Sequence, residues 1–562
     1  MVAAVFLVLS TVPLAEAPAG LLPLGLPLCG AKDLPEGLSL DRTPTPQLQG
    51  DVPMAHRTED AAGRSRAEAG YNCGLALVAR EVLDADGRDE GGNANMATAS
   101  HCAYVAGPGT VFGPAMYSSA DDSGGVAVVD VSSSSDPVHV KTLKGSGATS
   151  LVSETLHATD VVDPDTHKVT RSILVTGQYG NFGSGGDKPM EVYDVTGDRC
   201  TDPVHLGTVR WPENIHNLTI SGNGRYVFAT QPTQVVDISP MFAGGHYVYL
   251  GNLDNAMDFP VVAPAPGADV DDAVPAARTR GLPATYFGHE AAPSYDGTRL
   301  ILGSQTPMFD VFTIADIGPW LERNADGTPK GMPIIHSQRA GRGHSVTPAK
   351  IAGHGEWVMH AEESVFQGAY GCAPSRLNPF AGAAEPSFTD ITDVDAPRMH
   401  VSTFGLAINR PENCAAQLQS QVQASVHYHE FDSREDAKIA ILSMQNAGIR
   451  VVDVRDPEHP REIAYFNPGD VDAGPDVLLD YAWGHPHYDA RSGQIWFATE
   501  SGGFWVVELE PQVRRYLAMK PPVAAQNPDG LPGTTLVPGV DLHGQVPVSP
   551  MWCTLGAAGA AT

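Results

Sequence analysis

Eight histidines stand at or just inside the openings of apolar, β-branched segments: His157, His216, His289, His344, His427, His429, His485 and His487. His427-Tyr-His429 and His485-Pro-His487 are spaced i, i+2, which on a strand turns both side chains to one side. Each pair therefore reads as a two-imidazole clamp. Neutral imidazole suits iron, copper, zinc or nickel, and carboxylates that accept the other ring N–H orient such ligands. Glu154, Glu213, Glu290 and Glu430 lie close enough along the chain for that role. The pattern predicts a transition-metal centre, with iron, copper and zinc all compatible. The competing reading is structural: a histidine at a strand entrance can donate to a neighbouring backbone carbonyl and knit adjacent elements together.

The metal reading requires the histidines to converge, so it depends on the elements that carry them. Gly448 to Val454 is a β-branched strand, 455–460 is a turn of proline and aspartate, and Arg461 to Phe466 returns as a second strand. One hairpin cannot stand alone, and this one recurs. Gly125 to Val131 with Val138 to Leu143, Glu191 to Val195 with Val204 to Val209, and Gln234 to Pro240 with His246 to Leu250 have the same order of parts. Phe504 to Leu509 is the strand without its return partner, and Leu75 to Glu81 is a strand without a hairpin. The arrangement predicts an all-β, seven-bladed β-propeller spanning 70–510, whose last blade is completed by the N-terminal strand, so that no edge stays open. The first strand of each blade lines the central channel, so a residue repeated at its entrance becomes a ring about the axis. An ungapped alignment of HNLTISGNGRYVFA with HPHYDARSGQIWFA superposes His216 on His485. Asp130, Asp194, Asp237 and Asp453, at the hairpin strand ends, are expected to cap turns.

These hairpin strands resemble the LVIVD-repeat proteins, bacterial and archaeal surface or exported proteins expected to fold as β-propellers. The resemblance covers roughly 70–510 and implies a shape more than a chemistry. The expected histidine ring is also similar in architecture to the carotenoid-cleaving oxygenases, propellers that hold an axial iron with four histidines. A further likeness is to the selenium-binding-protein and methanethiol oxidase family. Both are analogies of architecture without a shared motif.

The balance of 65 acidic against 35 basic residues, a formal charge of −30, repels phosphate backbones and argues against nucleic acid as a partner. Residues 1–17 contain the apolar run Ala3 to Leu9 and the small-x-small sequence Ala15-Glu16-Ala17, which predicts a signal peptide and an extracytoplasmic protein. Residues 18–69 read as a leader or linker and 511–562 as a Pro/Gly-rich tail. Elsewhere no stretch approaches the roughly 20 apolar residues of a membrane span. Of the seven cysteines, Cys73 with Cys102 and Cys372 with Cys414 are the expected disulfides of an oxidising compartment. The insertion at 365–387 is a candidate lid over the channel. Nucleotide, dinucleotide and G-x-S-x-G hydrolase motifs are missing from the sequence. The leading expectation is an exported metalloprotein, oxidoreductase- or oxygenase-like, acting on a small molecule in the channel. Its rival is a non-catalytic extracellular or cell-surface scaffold with structural histidines, and a metal-dependent hydrolase comes third.

Overall fold

Every hairpin expected from the sequence lies in its own small antiparallel sheet. There are seven sheets, and the first strands of successive sheets run side by side, forming a seven-bladed β-propeller. The computed structural model describes residues 28–29, 70–83, 93–107, 125–144, 152, 154–179, 188–213, 215–254, 256, 287–305, 310–340, 344–361, 386–400, 426–445, 447–469, 480, 482–500 and 502–519. The blades occupy 96–143, 156–211, 218–252, 287–340, 345–400, 428–467 and 487–509. The proposed signal peptide, most of the leader, the 365–387 insertion up to 385, and Cys372 with Cys414 lie outside the described residues.

The blade hairpins form because strand and turn chemistry agree. The last residue of the third strand is an aspartate in six blades, and Oδ1 of Asp130, Asp194, Asp237, Asp316, Asp390 and Asp453 accepts the N–H two residues on. This is the capping role expected of the four aspartates singled out above, found at two further positions. The core lies between blades. Val161, Ile173 and Val175 of the second blade pack with Leu218, Ile220 and Val227 of the third in one buried cluster, and each such layer removes apolar surface from water.

Ring closure follows the expected route. Leu75–Glu81 pairs antiparallel with Gly503–Leu509 and completes the seventh blade. Tyr71–Cys73, just before it, adds a fifth strand to the sixth blade along Arg461–Asn467. Between the two, Gly74 has φ +70, and a Cβ there would stand 2.7 Å from Val513 Cγ2, so this step from one blade to the next requires glycine. Tyr71 also locks the sixth blade. Its hydroxyl accepts from the fully buried Arg450, which pairs with Glu462 at 3.2 Å.

Two expectations need correction. Among the described residues the disulfides are Cys29–Cys73 and Cys102–Cys200, so Cys73 does not pair with Cys102. The ring sets Cys73 on the edge of the sixth blade and Cys102 in the first, beside Cys200 of the second. Residue 511 does not begin a tail: Pro511–Ala518 is a helix whose Val513 and Tyr516 are buried in the layer between the sixth and seventh blades.

Candidate metal centre

The site is assembled by equivalence of position. Thr230 N–H donates to Asn217 O in the third blade, as Gly177 N–H donates to Thr155 O in the second and Ala106 N–H to Asn95 O in the first. The residue before each acceptor therefore occupies the same place in its blade. That residue is Ala94, Glu154 and His216 in turn, then His289, His344 and His427 in the next three blades. Four of the eight histidines proposed above thus stand on one ring. Glu154, expected only as a neighbour of the ligands, occupies a ring place itself.

These five side chains meet. His216 Nε2 and His289 Nε2 are 2.9 Å apart, and Glu154 Oε2 lies 3.5 Å from the first and 3.4 Å from the second. Glu154 Oε1 is 3.8 Å from His427 Nε2. The ligand atoms of Glu154, His289 and His344 all fall within 4.8 Å of one another. The rings of His289 and His344 have centroids 3.5 Å apart, and those of His344 and His427 5.0 Å. His216, His289 and His344 are fully buried, and Glu154 keeps 12% of its side-chain surface. Trp483 lies edge-on to His427, and Tyr179 lies against His216.

The ring's electrostatics suit a cation. Burial pushes His344 down to about 3. Burial also holds His289 well below the ordinary imidazole value, and repulsion from His344, His216 and His427 adds to this. Both are neutral near pH 7, the form that ligates. His427 Nδ1 lies 2.8 Å from Trp483 O. A carbonyl only accepts, so Nδ1 carries the proton and Nε2 presents its lone pair towards Glu154.

Tyr428 and Asn217, to which the sequence reading gave no part in the site, brace the carboxylate. Tyr428 donates its hydroxyl to Glu154 Oε2 at 2.7 Å, and Asn217 Nδ2 donates to that hydroxyl at 2.7 Å. They directly follow His427 and His216, so their positions after the ring residue were the available signal.

The other four proposed histidines are not on this ring. His485 stacks on Tyr428 with centroids 4.0 Å apart, its Nε2 is 3.4 Å from Glu290 Oε1, and burial holds its pKa well down. His429 Nδ1 meets Thr347 Oγ1 at 2.8 Å, His487 Nδ1 meets Thr98 Oγ1 at 3.0 Å, and Ile220 N–H donates to His157 Nδ1 at 3.4 Å. In the seventh blade the ring place belongs to Gly484, whose carbonyl accepts from Ser443 Oγ as that of His289 accepts from Thr230 Oγ1. The two i, i+2 pairs are therefore not clamps on one ion: His427 stands on the ring and His429 makes its contact with Thr347. Of the carboxylates, Glu290 is pushed up to about 8 by burial and accepts from Val346 N–H. Glu430 forms a two-pronged pair with Arg434. Glu213 is exposed and accepts from Asn252, so it does not support the ring. His101 lies beside Cys102 and Cys200, but these cysteines are bonded to each other and leave no thiolate for a metal.

No protein-family model matches the chain, and no curated protein matches it. Among solved structures, the crystal structure of Sqt1 from Chaetomium thermophilum is similar at 10% identity and a TM-score of 0.40, covering 75% of this chain and 97% of that one, a likeness that carries no functional argument.

Proposed function

We propose that the protein holds one transition-metal ion through the imidazoles of His216, His289, His344 and His427 and the carboxylate of Glu154. We propose further that it is an exported metalloprotein of the LVIVD-repeat kind, acting as an oxidoreductase or Lewis-acid catalyst on a small molecule in the channel. The observation that carries the metal reading is the spacing of three atoms, His216 Nε2, His289 Nε2 and Glu154 Oε2, at 2.9, 3.4 and 3.5 Å. Bonds of about 2.1 Å to a single ion put ligand atoms about 3.0 Å apart at a right angle and about 3.4 Å apart at the tetrahedral angle. A neutral, imidazole-rich set with one carboxylate suits iron, copper or zinc. When bound, such an ion supplies Lewis acidity or electron transfer. The chain's own residues fix the tautomer of His427, hold His289 and His344 neutral, and brace Glu154. Two disulfides among the described residues support an oxidising compartment.

The test is elemental analysis of protein purified without an affinity tag. About one transition-metal ion per chain is expected, and the double variant His216→Ala, His344→Ala should fold and lose it. A metal-free chain whose melting temperature is indifferent to chelator would refute the reading.

The scaffold alternative has one specific observation in its favour. His427 Nδ1 donates to Trp483 O ahead of the seventh blade, and the rings of His289, His344 and His427 pack on one another across blades, so the ring also stitches blades together. If the double variant fails to fold, that stitching is the histidines' main duty.

A further inference from the structure

The histidine ring stands where the inner strands begin. At their far end, in the turn between Tyr428–Phe431 and Ile439–Ser443, is Arg434. Its Nε and Nη2 donate to the two oxygens of Glu430 at 2.9 and 2.8 Å. The guanidinium carries five N–H donors in a flat fork, so this pairing leaves the Nη1/Nη2 edge for another acceptor. Arg434 is central: its charge acts on His157 of the second blade, Glu290 of the fourth, His429 of the sixth and His485 of the seventh. It is also wet. Side-chain exposure rises from 12% at Glu154 to 22% at His485, 25% at Glu430 and 48% at Arg434. Among the described residues, the solvent path towards the ring therefore opens from the hairpin side.

We infer that this hairpin-side mouth is a docking site for a small organic carboxylate, received by the Nη1/Nη2 edge of Arg434 while Glu430 holds the other edge. A planar carboxylate matches the fork with two parallel hydrogen bonds. Glu430 fixes the guanidinium in place, so less freedom is lost when the ligand binds. The chain as a whole, at −30, repels anions. At about 0.15 M salt that field is screened beyond about 8 Å, and the local attraction of Arg434 governs the mouth. Docking itself needs no metal; that the docked carboxylate is the substrate of the histidine ring rests on the metal-centre reading.

The experiment uses the full chain stripped of metal, with acetate as the probe and acetamide as its neutral counterpart, and binding followed by ligand-observed NMR. Wild type should bind acetate in preference to acetamide. Arg434→Gln should weaken acetate by about tenfold or more and leave acetamide unchanged. Glu430→Gln keeps an oxygen acceptor for the guanidinium but removes the negative charge that repels a docked anion, so it should tighten acetate severalfold; an Arg434 serving only as Glu430's structural partner would not respond so. Circular dichroism checks that each variant is folded, and metal uptake by each is measured separately. Acetate binding that is indifferent to Arg434→Gln, or no preference over acetamide, overturns the docking site even if the ring takes up metal. Acetate held through Arg434 by a chain that takes up no metal overturns the metal centre and leaves the docking site.

Discussion

Tyr428 of the sixth blade reaches across to the second blade and donates its hydroxyl to Glu154 Oε2 at 2.7 Å. Burial, with the nearby charges of Glu154 and Glu290, holds this phenol well above its ordinary pKa, so it stays a donor. It bridges 274 residues of sequence and fixes the one ligand that is not an imidazole. Groups that orient ligands in this way are worth about 10–100-fold in metal affinity. Tyr428→Phe should therefore lower affinity by a factor in that range, measured by competition with a chromophoric chelator. The phenyl ring can still stack on His485, so the melting temperature of the metal-free chain should fall by little. Unchanged affinity would mean that Glu154 needs no bracing or is not a ligand.

Much of this arrangement was legible in the sequence, for a physical reason. A propeller repeats one strand order, and Asp130, Asp194, Asp237 and Asp453 mark the same turn each time, so blade count, closing strand and histidine ring could all be read by position. The failures lay in register and pairing. Register sets Tyr226 opposite Asp237 in the third blade and Gln494 opposite Glu508 in the seventh, so Tyr226 corresponds to Gln494. The ungapped alignment matched Tyr226 to Ile495, one residue too far, and so put His485 on the ring in place of Gly484. In the fourth blade the register shifts between Gly288 and Glu290, with His289 at the bulge, yet the histidine keeps its ring place. Cysteine pairing was not readable because it depends on which blades the closed circle brings together. Cys29 and Cys200, which the expected pairs left out, are the partners of Cys73 and Cys102.

The histidines off the ring give the metal-free protein a pH dependence. Burial pushes His157 down to about 4, helped by the positive charge of Arg434, and pushes His487 down to about 4 as well. In the unfolded chain both return to about 6.5. Between those values the unfolded state binds protons that the folded state refuses, so stability falls as pH falls, by at most about 1.4 kcal/mol per pH unit for each histidine. Above about pH 7 neither contributes a slope. Aspartates with lowered pKa, such as Asp194 and Asp489, act in the same direction but only below about pH 4. Urea midpoints measured in chelator should therefore decline from pH 7 to pH 5, and His157→Gln should flatten part of that decline. Glu290 and Glu500, pushed up to about 8 by burial, act the other way over this window but are outnumbered by the buried imidazoles of His157, His344, His429 and His487, so a midpoint constant across it would contradict the burial assigned to these rings.

The two disulfides should fail in different places. Cys102–Cys200, 98 residues apart, joins the first blade to the second, while Cys29–Cys73, 44 apart, pins the leader to the edge of the sixth. Chain entropy alone assigns them about 4.7 and about 4 kcal/mol, too close to tell them apart by stability. Location separates them. Leu28 N–H donates to Ile463 O, and Gln512 Nε2 donates to Leu28 O, so the leader, the sixth blade and the terminal helix meet beside the strand that closes the ring. In the double variant Cys29→Ser, Cys73→Ser, amide exchange should quicken in Leu75–Glu81 and Gly503–Leu509, whereas Leu218–Ile220 on the far side keeps its protection. In Cys102→Ser, Cys200→Ser the faster exchange should lie in Cys102–Ala106 and the turn around Cys200. Faster exchange spread evenly over all blades in either variant would mean that the propeller opens as one cooperative unit and that the closing strand is no weaker than the rest.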